Sequence, residues 1–183
     1  MPFLDVRQNN YTTMFTTEEE PLISGSSDDL EEFVDCDRCL IVDWRGSEEE
    51  VLDDARAFLP TDSLTYEQIE TDSDTINYLI RFMGREDSIS LPAQPQNNFR
   101  ILQRLSALLQ PDYEMRTFRC TEDSDTQGFL IRPKAWWDAY RSTHPKQYAE
   151  IFSDVSSLTN LWDLEGHSES NSTQTKPWWK FWE

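Results

Sequence analysis

Apolar residues recur at helical spacing in two segments of the chain, and each segment ends at a proline. The first stripe follows Ser47 and Glu50, which have the spacing of a capping box at a helix start. The stripes comprise Val51, Leu52, Ala55, Phe58 and Leu59 before Pro60, and Phe99, Leu102, Leu105 and Leu109 before Pro111. Because this spacing places apolar side chains on one helix face, the pattern predicts two amphipathic helices.

Short segments rich in β-forming residues precede and follow each predicted helix. One strand is predicted before each helix, and two strands joined at an acidic turn predict a hairpin after it. The predicted strands are Leu40–Trp44, Leu64–Glu70, Thr75–Met83, Ser88–Leu91, Glu114–Cys120 and Gln127–Arg132. The order strand, helix, hairpin is therefore predicted twice.

The two predicted hairpins are also related in sequence. Leu64–Phe82 aligns without a gap on Met115–Pro133 when the chain is shifted by 51 residues, and both segments contain Asp-Ser-Asp-Thr followed by Leu-Ile-Arg. Such self-similarity indicates an internal duplication. We expect the hairpins to superpose with Asp72 and Asp123 at matching turn positions, since a register slip would turn side chains to the wrong face.

This order of elements predicts one α+β domain with loose ends. The two units, about residues 40–92 and 93–133, are expected to form one antiparallel-rich sheet with helices on one face. A loosely ordered arm is predicted over 1–27, and a linker with an aromatic tail over 166–183. Between them lies a single domain over 28–165, which begins with a short helix at Asp28–Val34. Its last part is a helical cover over 133–162, with helices at Pro133–Arg141 and Pro145–Ser156.

A net charge of −19 is the strongest compositional signal. Sixteen of the nineteen charges lie within residues 1–82, so the first unit is far more acidic than the second. An acidic surface repels nucleic-acid phosphates and anionic lipid, and it attracts cationic proteins or metal ions. The charge therefore argues against nucleic acid as a partner and favours a cationic protein.

Cysteine and histidine content argues against a metal centre. Cys36 and Cys39 form a C-x-x-C motif, but zinc needs a second pair of ligands, which Cys120, His144 and His167 do not supply. Reduced thiols and no cofactor are expected. The enzyme class is disfavoured, because the sequence shows neither a nucleophile–base pair nor a phosphate loop. With no signal peptide and no apolar run of about 18 residues, we expect a cytoplasmic protein without a transmembrane segment.

The acidic turns of the two hairpins supply the candidate partner-binding residues. These are Glu67, Glu70, Asp72, Asp74, Asp123 and Asp125. Three interpretations of the repeated Asp-Ser-Asp-Thr stay open: side chains that stabilise a turn, acids that bind a cationic partner, and ligands of a divalent cation. Each turn lacks the glycine and the distal glutamate of a calcium loop.

The C-terminal tail is the second candidate binding element. Its aromatic residues alternate with lysines, and they are Trp178, Trp179, Phe181 and Trp182. Clustered aromatic side chains are rarely left in water without a docking partner. The tail is expected to dock on a protein partner or on its own domain, with weak peripheral membrane contact as a further alternative.

The combination of small size, acidity, α+β repeats and no catalytic set over residues 40–165 resembles immunity proteins of bacterial polymorphic toxin systems. The resemblance is one of general character and implies a non-enzymatic inhibitor that blocks a cationic protein partner, such as a toxin. Two alternatives stay open. One is a metal-dependent enzyme that uses the acidic turns, and the other is a DNA mimic that occupies a nucleic-acid-binding enzyme.

Overall fold

The computed structural model describes residues 15–16, 19–36, 38–43, 45–69, 75–92, 98–122 and 124–158. Helices and antiparallel sheets occur together in it, which confirms the predicted α+β class. The helices of these residues are α1 (Glu20–Ser24), α2 (Ser27–Asp35), α3 (Glu48–Arg56), α4 (Asn98–Leu109), α5 (Lys134–Thr143) and α6 (Pro145–Ile151). The strands are β1 (Leu40–Asp43), β2 (Leu64–Ile69), β3 (Thr75–Phe82), β4 (Arg85–Pro92), β5 (Tyr113–Phe118), β6 (Thr126–Pro133) and β7 (Phe152–Asp154).

The strands form two antiparallel sheets, so the prediction of a single sheet is wrong. A four-stranded sheet has the order β1-β6-β5-β7, and a three-stranded sheet has the order β2-β3-β4. The reason is a tight turn at Met83 and Gly84, which folds β4 directly back onto β3. Both residues have positive φ, 48° and 82°, which suits the twist of two paired strands. Strand β4 thus completes the sheet of the first hairpin, while β1 pairs with β6 of the second.

The two hairpins differ in register and in the length of their connections. Leu64 pairs with Phe82, but Met115, its equivalent under the 51-residue shift, pairs with Ile131, two positions short of the expected partner. The residues left between the last pairs also differ: 70–76 in the first hairpin and 118–128 in the second. The prediction that the hairpins superpose residue for residue is therefore wrong. The order strand, helix, hairpin does occur twice, as β1-α3-β2-β3 and β4-α4-β5-β6.

Helices cover both faces of the four-stranded sheet, which corrects the expectation of helices on one face only. Phe129 and Ile131 of β6 pack into a core cluster with residues of α3, α4 and the three-stranded sheet. Leu130, between them, packs into a second cluster with α2, α5 and α6. A nearly continuous apolar run is what a strand buried on both faces requires. The three-stranded sheet instead buries alternate residues of β3, with Tyr78 in the core and Leu79 on the outer face.

Residues 19–27 belong to the folded domain, which corrects the loosely ordered arm expected over 1–27. Helix α1 lies in this segment and buries Leu22 completely, at 0% exposure. The carbonyl of Leu22 accepts a hydrogen bond from the Tyr140 hydroxyl at 2.5 Å. Phe15 meets the ring of Trp136 edge-on, with 5.5 Å between ring centroids. Contacts with α5 hold this segment in place. Its own sequence has no periodic pattern, so its burial could not be predicted from the sequence.

The second helix of the predicted cover ends earlier than the sequence predicted, and residues 159–162 of the cover lie outside the described residues. Helix α6 stops at Ile151, and the chain continues as β7, which pairs with β5 through Phe152 opposite Phe118. The expected helix over Pro145–Ser156 is therefore corrected in its second half, because Phe152 adopts extended backbone angles and fills the second core cluster. Among the described residues, no helix is long and apolar enough to cross a membrane.

Candidate functional site

Only Glu67 and Asp125 of the six predicted partner-binding acids fall within the described residues. Glu67 lies exposed on the outer face of the three-stranded sheet, where Arg81 Nη2 donates to it at 2.7 Å. Asp125 is exposed directly before β6, in the other sheet. The two residues therefore belong to different sheets, and the charge of Glu67 is balanced by its own neighbour. Outside the described residues lie Glu70, Asp72, Asp74 and Asp123, and the tail residues Trp178, Trp179, Phe181 and Trp182.

Helix α2 carries a row of carboxylates that the sequence-based site did not include. Its buried face consists of Leu30, Phe33 and Val34, which have helical spacing. The exposed acids of the same helix are Asp28, Asp29, Glu31, Glu32 and Asp35. None of them forms an ion pair within the part of the chain that the structure describes, although Asp29 accepts a hydrogen bond from Ser24 Oγ at 3.1 Å. A helix with five acids and no base is thus held by its apolar face alone.

Helix α3 carries a second set of acids, and it begins with the predicted capping box. Ser47 Oγ accepts from the Glu50 amide at 3.2 Å, and Glu50 accepts from the Ser47 amide at 2.8 Å, which confirms the box. Three acids in the first turn also favour the positive end of the helix dipole. The acids of α3 are Glu48, Glu49, Glu50, Asp53 and Asp54, of which Asp53 pairs with Arg56 at 2.8 Å.

The negative field of α3 acts on two tyrosines of the three-stranded sheet. Burial raises the pKa of Tyr78, the charges of Glu48 and Glu49 act in the same direction, and together they bring it to about 12. Burial also raises the pKa of Tyr66, to which Asp53 adds by accepting a hydrogen bond. In both cases the negative carboxylates of α3 disfavour the ionised form of the tyrosine, because like charges repel. Glu48 and Glu49 therefore act on the sheet as negative charges, whereas Asp53 is paired with Arg56.

Several acids elsewhere in the described residues are matched by arginines or lysines, whereas Asp62 and Asp125 are exposed and form no ion pair there. Glu114, with a side chain only 4% exposed, accepts from both terminal nitrogens of Arg141 at 2.8 Å and from Arg116 Nε at 2.6 Å. Burial alone would raise the pKa of Glu114, but the hydrogen bonds from Arg141 and Arg116 outweigh it, so the pKa is lowered. The further pairs are Asp87 with Arg104, Asp112 with Arg85, Asp154 with Arg116, and Glu19 with Arg132.

Helices α2 and α3 lie on opposite faces of the four-stranded sheet near its edge strand β1. Residues of α2 share the second core cluster with Ile41, whereas residues of α3 share the main cluster with Leu40 and Val42. Gly128 of β6 lets α2 approach closely, because a Cβ there would lie 3.3 Å from Val34 Cγ1. We call the ten carboxylates of α2 and α3 the acidic surface.

The cysteines do not form a metal site in the described part of the chain. Cys36 and Cys120 are exposed free thiols, and Cys39 is buried. Burial raises the pKa of Cys39 to about 12, which keeps its thiol protonated and unreactive. No group of three His, Cys, Asp or Glu residues that could hold a metal ion occurs among the described residues.

A signal for α2 was present in the sequence. A short helix over Asp28–Val34 was expected, and its acids fall opposite its apolar stripe by helical spacing alone. The repeated Asp-Ser-Asp-Thr instead predicts a binding site at the hairpin turns. Glu67 is paired with Arg81 through a tertiary contact that no local sequence pattern predicts, whereas the acids of α2 form no ion pair within the described residues.

Comparison with known proteins supplies no family. No protein-family model matches the chain, and no curated protein or solved structure matches it.

Proposed function

We propose that this protein is a non-enzymatic acidic binding protein that blocks a cationic protein partner, as an inhibitor or an immunity-type protein does. The observation that carries the proposal is the division of charge within the fold. Most basic side chains of the sheets and of α4 and α5 are engaged in internal ion pairs, Arg100 of α4 being an exception, and the carboxylates of α2 form none in the described residues. The acidic surface is therefore left to act on molecules outside the protein.

Exposed charges on fixed helices suit fast recognition of an oppositely charged protein. They steer diffusional encounter and fix orientation, while each contributes little to holding the complex. Phe33 of α2 packs against Phe118 with 6.0 Å between ring centroids, and α3 buries Leu52 completely. The surface is thus built on packed helices, so little ordering entropy is lost when a partner binds.

A cytoplasmic location is part of the proposal. The free thiols of Cys36, Cys39 and Cys120 support a reducing compartment, since exposed cysteines in oxidising compartments are usually paired.

The test compares two variants of equal net charge. The first replaces four acids of α2: Asp28→Asn, Asp29→Asn, Glu31→Gln and Glu32→Gln. The control replaces four exposed acids outside α2 and α3: Asp62→Asn, Glu86→Gln, Asp138→Asn and Glu150→Gln. The partner is isolated by affinity capture on the wild-type protein, and its association rate is then measured by stopped flow.

At low salt we expect the α2 variant to associate about tenfold more slowly than wild type or worse, and its rate to depend less on salt. The control variant should associate at nearly the wild-type rate. Equal slowing by both variants would show that net charge alone matters. An unchanged rate in the α2 variant would contradict the proposed function.

A further inference from the structure

Within the described residues no strand pairs with the outer edge of β1, and Ile41 presents its backbone groups to that edge. The one neighbour of β1 in the described sheets is β6, in which Gly128 lies opposite Ile41. The carbonyl of Gly128 accepts from Thr117 Oγ1 at 3.2 Å, and its amide donates to Thr121 Oγ1 at 3.0 Å. Both groups of Gly128 therefore point away from β1. In an antiparallel pair this makes Ile41 a non-hydrogen-bonded partner, so the amide and carbonyl of Ile41 point outward, to the edge.

The other three edge strands differ from β1 in a consistent way. Each has a backbone carbonyl that accepts a hydrogen bond from an arginine. The contacts are Arg56 Nε to Leu64 of β2 at 3.2 Å, Arg104 Nη2 to Ser88 of β4 at 3.3 Å, and Arg119 Nε to Phe152 of β7 at 2.9 Å. Such contacts protect an edge against pairing with another chain. No side chain of the described residues donates to the carbonyl of Leu40, Ile41 or Val42.

The two helices that carry the acidic surface pack on opposite faces of the sheet at β1. Side chains of a strand alternate between the two faces of a sheet, so a strand added beside β1 would direct successive residues towards α2 and then towards α3. Each of these helices carries five carboxylates. The nearest basic residues in sequence are Arg38 and Arg45, beyond the two ends of β1, and the Arg38 guanidinium lies over the ring of Phe33 at 5.8 Å. The acids outnumber these bases on both faces.

We propose that β1 accepts an extended basic segment of the partner as an additional strand of the four-stranded sheet. This inference rests on the proposed function and names its mode of binding. The segment pairs through the amide and carbonyl of Ile41, and it carries lysine or arginine at neighbouring positions, so that its charges meet both helices. Backbone pairing sets the position and direction of the bound segment, and the acidic surface makes binding selective for basic segments.

The experiment uses two peptides of identical charge and the whole protein labelled with nitrogen-15. The first peptide is Arg-Lys-Thr-Arg-Lys-Thr-Arg-Lys, which places basic residues on both faces of a strand. The second has the same sequence, methylated on every backbone nitrogen, so it retains the charges and loses the amide hydrogens that a strand donates. Binding is measured by titration at low salt, and the amide of Ile41 is followed by its chemical shift and its hydrogen exchange.

Strand addition predicts that the first peptide binds, shifts the Ile41 amide and slows its exchange, and that the methylated peptide binds about tenfold more weakly or worse. The variant Ile41→Pro, which removes the outward amide, should weaken the first peptide and leave the second unaffected. If that variant does not fold, the comparison of the two peptides still decides.

Two outcomes overturn the inference in distinguishable ways. Equal binding of both peptides, weakened alike by the four α2 substitutions, would retain the acidic binding protein and exclude strand addition. Failure of both peptides to bind at low salt would contradict the proposed function as well.

Discussion

Arg141 holds the buried carboxylate of Glu114 with both of its terminal nitrogens, at 2.8 Å each. The same carboxylate accepts from Arg116, which also pairs with Asp154 of β7 at 2.6 Å. The indole of Trp137 donates to the backbone carbonyl of Glu114 at 2.8 Å. These contacts join α5, β5 and β7, so one buried acid fixes the helical cover on the four-stranded sheet.

Replacing this acid should strongly destabilise the fold. Glu114→Gln removes the shared counter-ion of two partly buried guanidinium groups, which keep only the exposed acids Asp154 and Asp138, and this loss costs about 1.5–3 kcal/mol. Glu86→Gln is the matched control, because the Glu86 side chain is 67% exposed and its loss should change stability by about 0.5 kcal/mol or less. Urea unfolding of both variants checks this expectation. A similar midpoint for both would show that the buried pair contributes little.

The same pair makes stability depend on acid pH. The pKa of Glu114 is lowered in the folded protein, so its contribution is fully present above the ordinary carboxyl pKa and is lost as the pH falls through the lowered value. Wild type should therefore lose stability relative to Glu114→Gln between about pH 5 and about pH 3. Urea unfolding over this range measures the difference between the two proteins. A constant difference at every pH would contradict the assignment.

Gly128→Ala should displace α2. The added Cβ would lie 3.2 Å from Phe118 Cδ2 and 3.3 Å from Val34 Cγ1, both in the packed second core cluster. Overpacking of this kind costs about 1–3 kcal/mol. Gly84→Asn is the control, since nothing lies within 4 Å of a Cβ there and asparagine tolerates its positive φ of 82°. Thermal melts of both variants, with the association rate of any folded Gly128→Ala protein, test whether the position of α2 matters for binding.

Glu67→Gln should slow partner association less than a single substitution on α2 such as Glu32→Gln. Glu67 is already neutralised in part by Arg81, whereas Glu32 forms no ion pair within the described residues. Arg81 also contacts Glu86 at 3.5 Å, so it keeps a counter-ion after the change. Stopped-flow association at low salt compares the two variants. A larger effect from Glu67→Gln would return the binding site to the first hairpin.

Proline substitutions test the orientation of β1 without any partner. Ile41→Pro removes an amide that points to the free edge, and proline is accepted at such positions of edge strands. Val42→Pro removes an amide that points to β6, where Val42 pairs with Gln127, so it breaks a bond of the sheet. We expect Val42→Pro to be less stable than Ile41→Pro by about 1–3 kcal/mol, measured by urea unfolding. If Ile41→Pro proved less stable than Val42→Pro, the amide of Ile41 would point to β6 and not to the edge.

Local structure was predictable from the sequence to the extent that local forces set it. The capping box of Ser47 and Glu50 and the apolar stripe of α3 act over a few residues. The box occurs as predicted, and Val51, Leu52 and Ala55 form the buried stripe, although the helix ends at Arg56, before the predicted Phe58 and Leu59. The partner of each strand was not predictable, because it depends on the turn at Met83 and Gly84 and on pairing between distant residues. A local pattern cannot distinguish one sheet from two when all strands are suitable for either.

The candidate site was predictable in kind but not in position. The sequence indicated an acidic surface in the first half of the chain, and the acids of α2 and α3 lie there. Some acids that looked equivalent in the sequence have other roles. Glu19 lies in an acidic run, yet it is buried and accepts from Arg132 Nε at 3.2 Å, so it anchors the N-terminal segment.

The pairing of β1 with β6, a strand of the second hairpin, has a consequence for how the protein folds during synthesis. Leu40 pairs with Phe129, so β1 leaves the ribosome long before its neighbour has been synthesised. A nascent chain that ends at β4 can complete the three-stranded sheet, but β6, the strand that pairs with β1, has not yet been synthesised. Pairings so distant in sequence also form slowly. A product terminated before β6 would therefore lack the strand that holds β1 between α2 and α3, and it should not bind the partner.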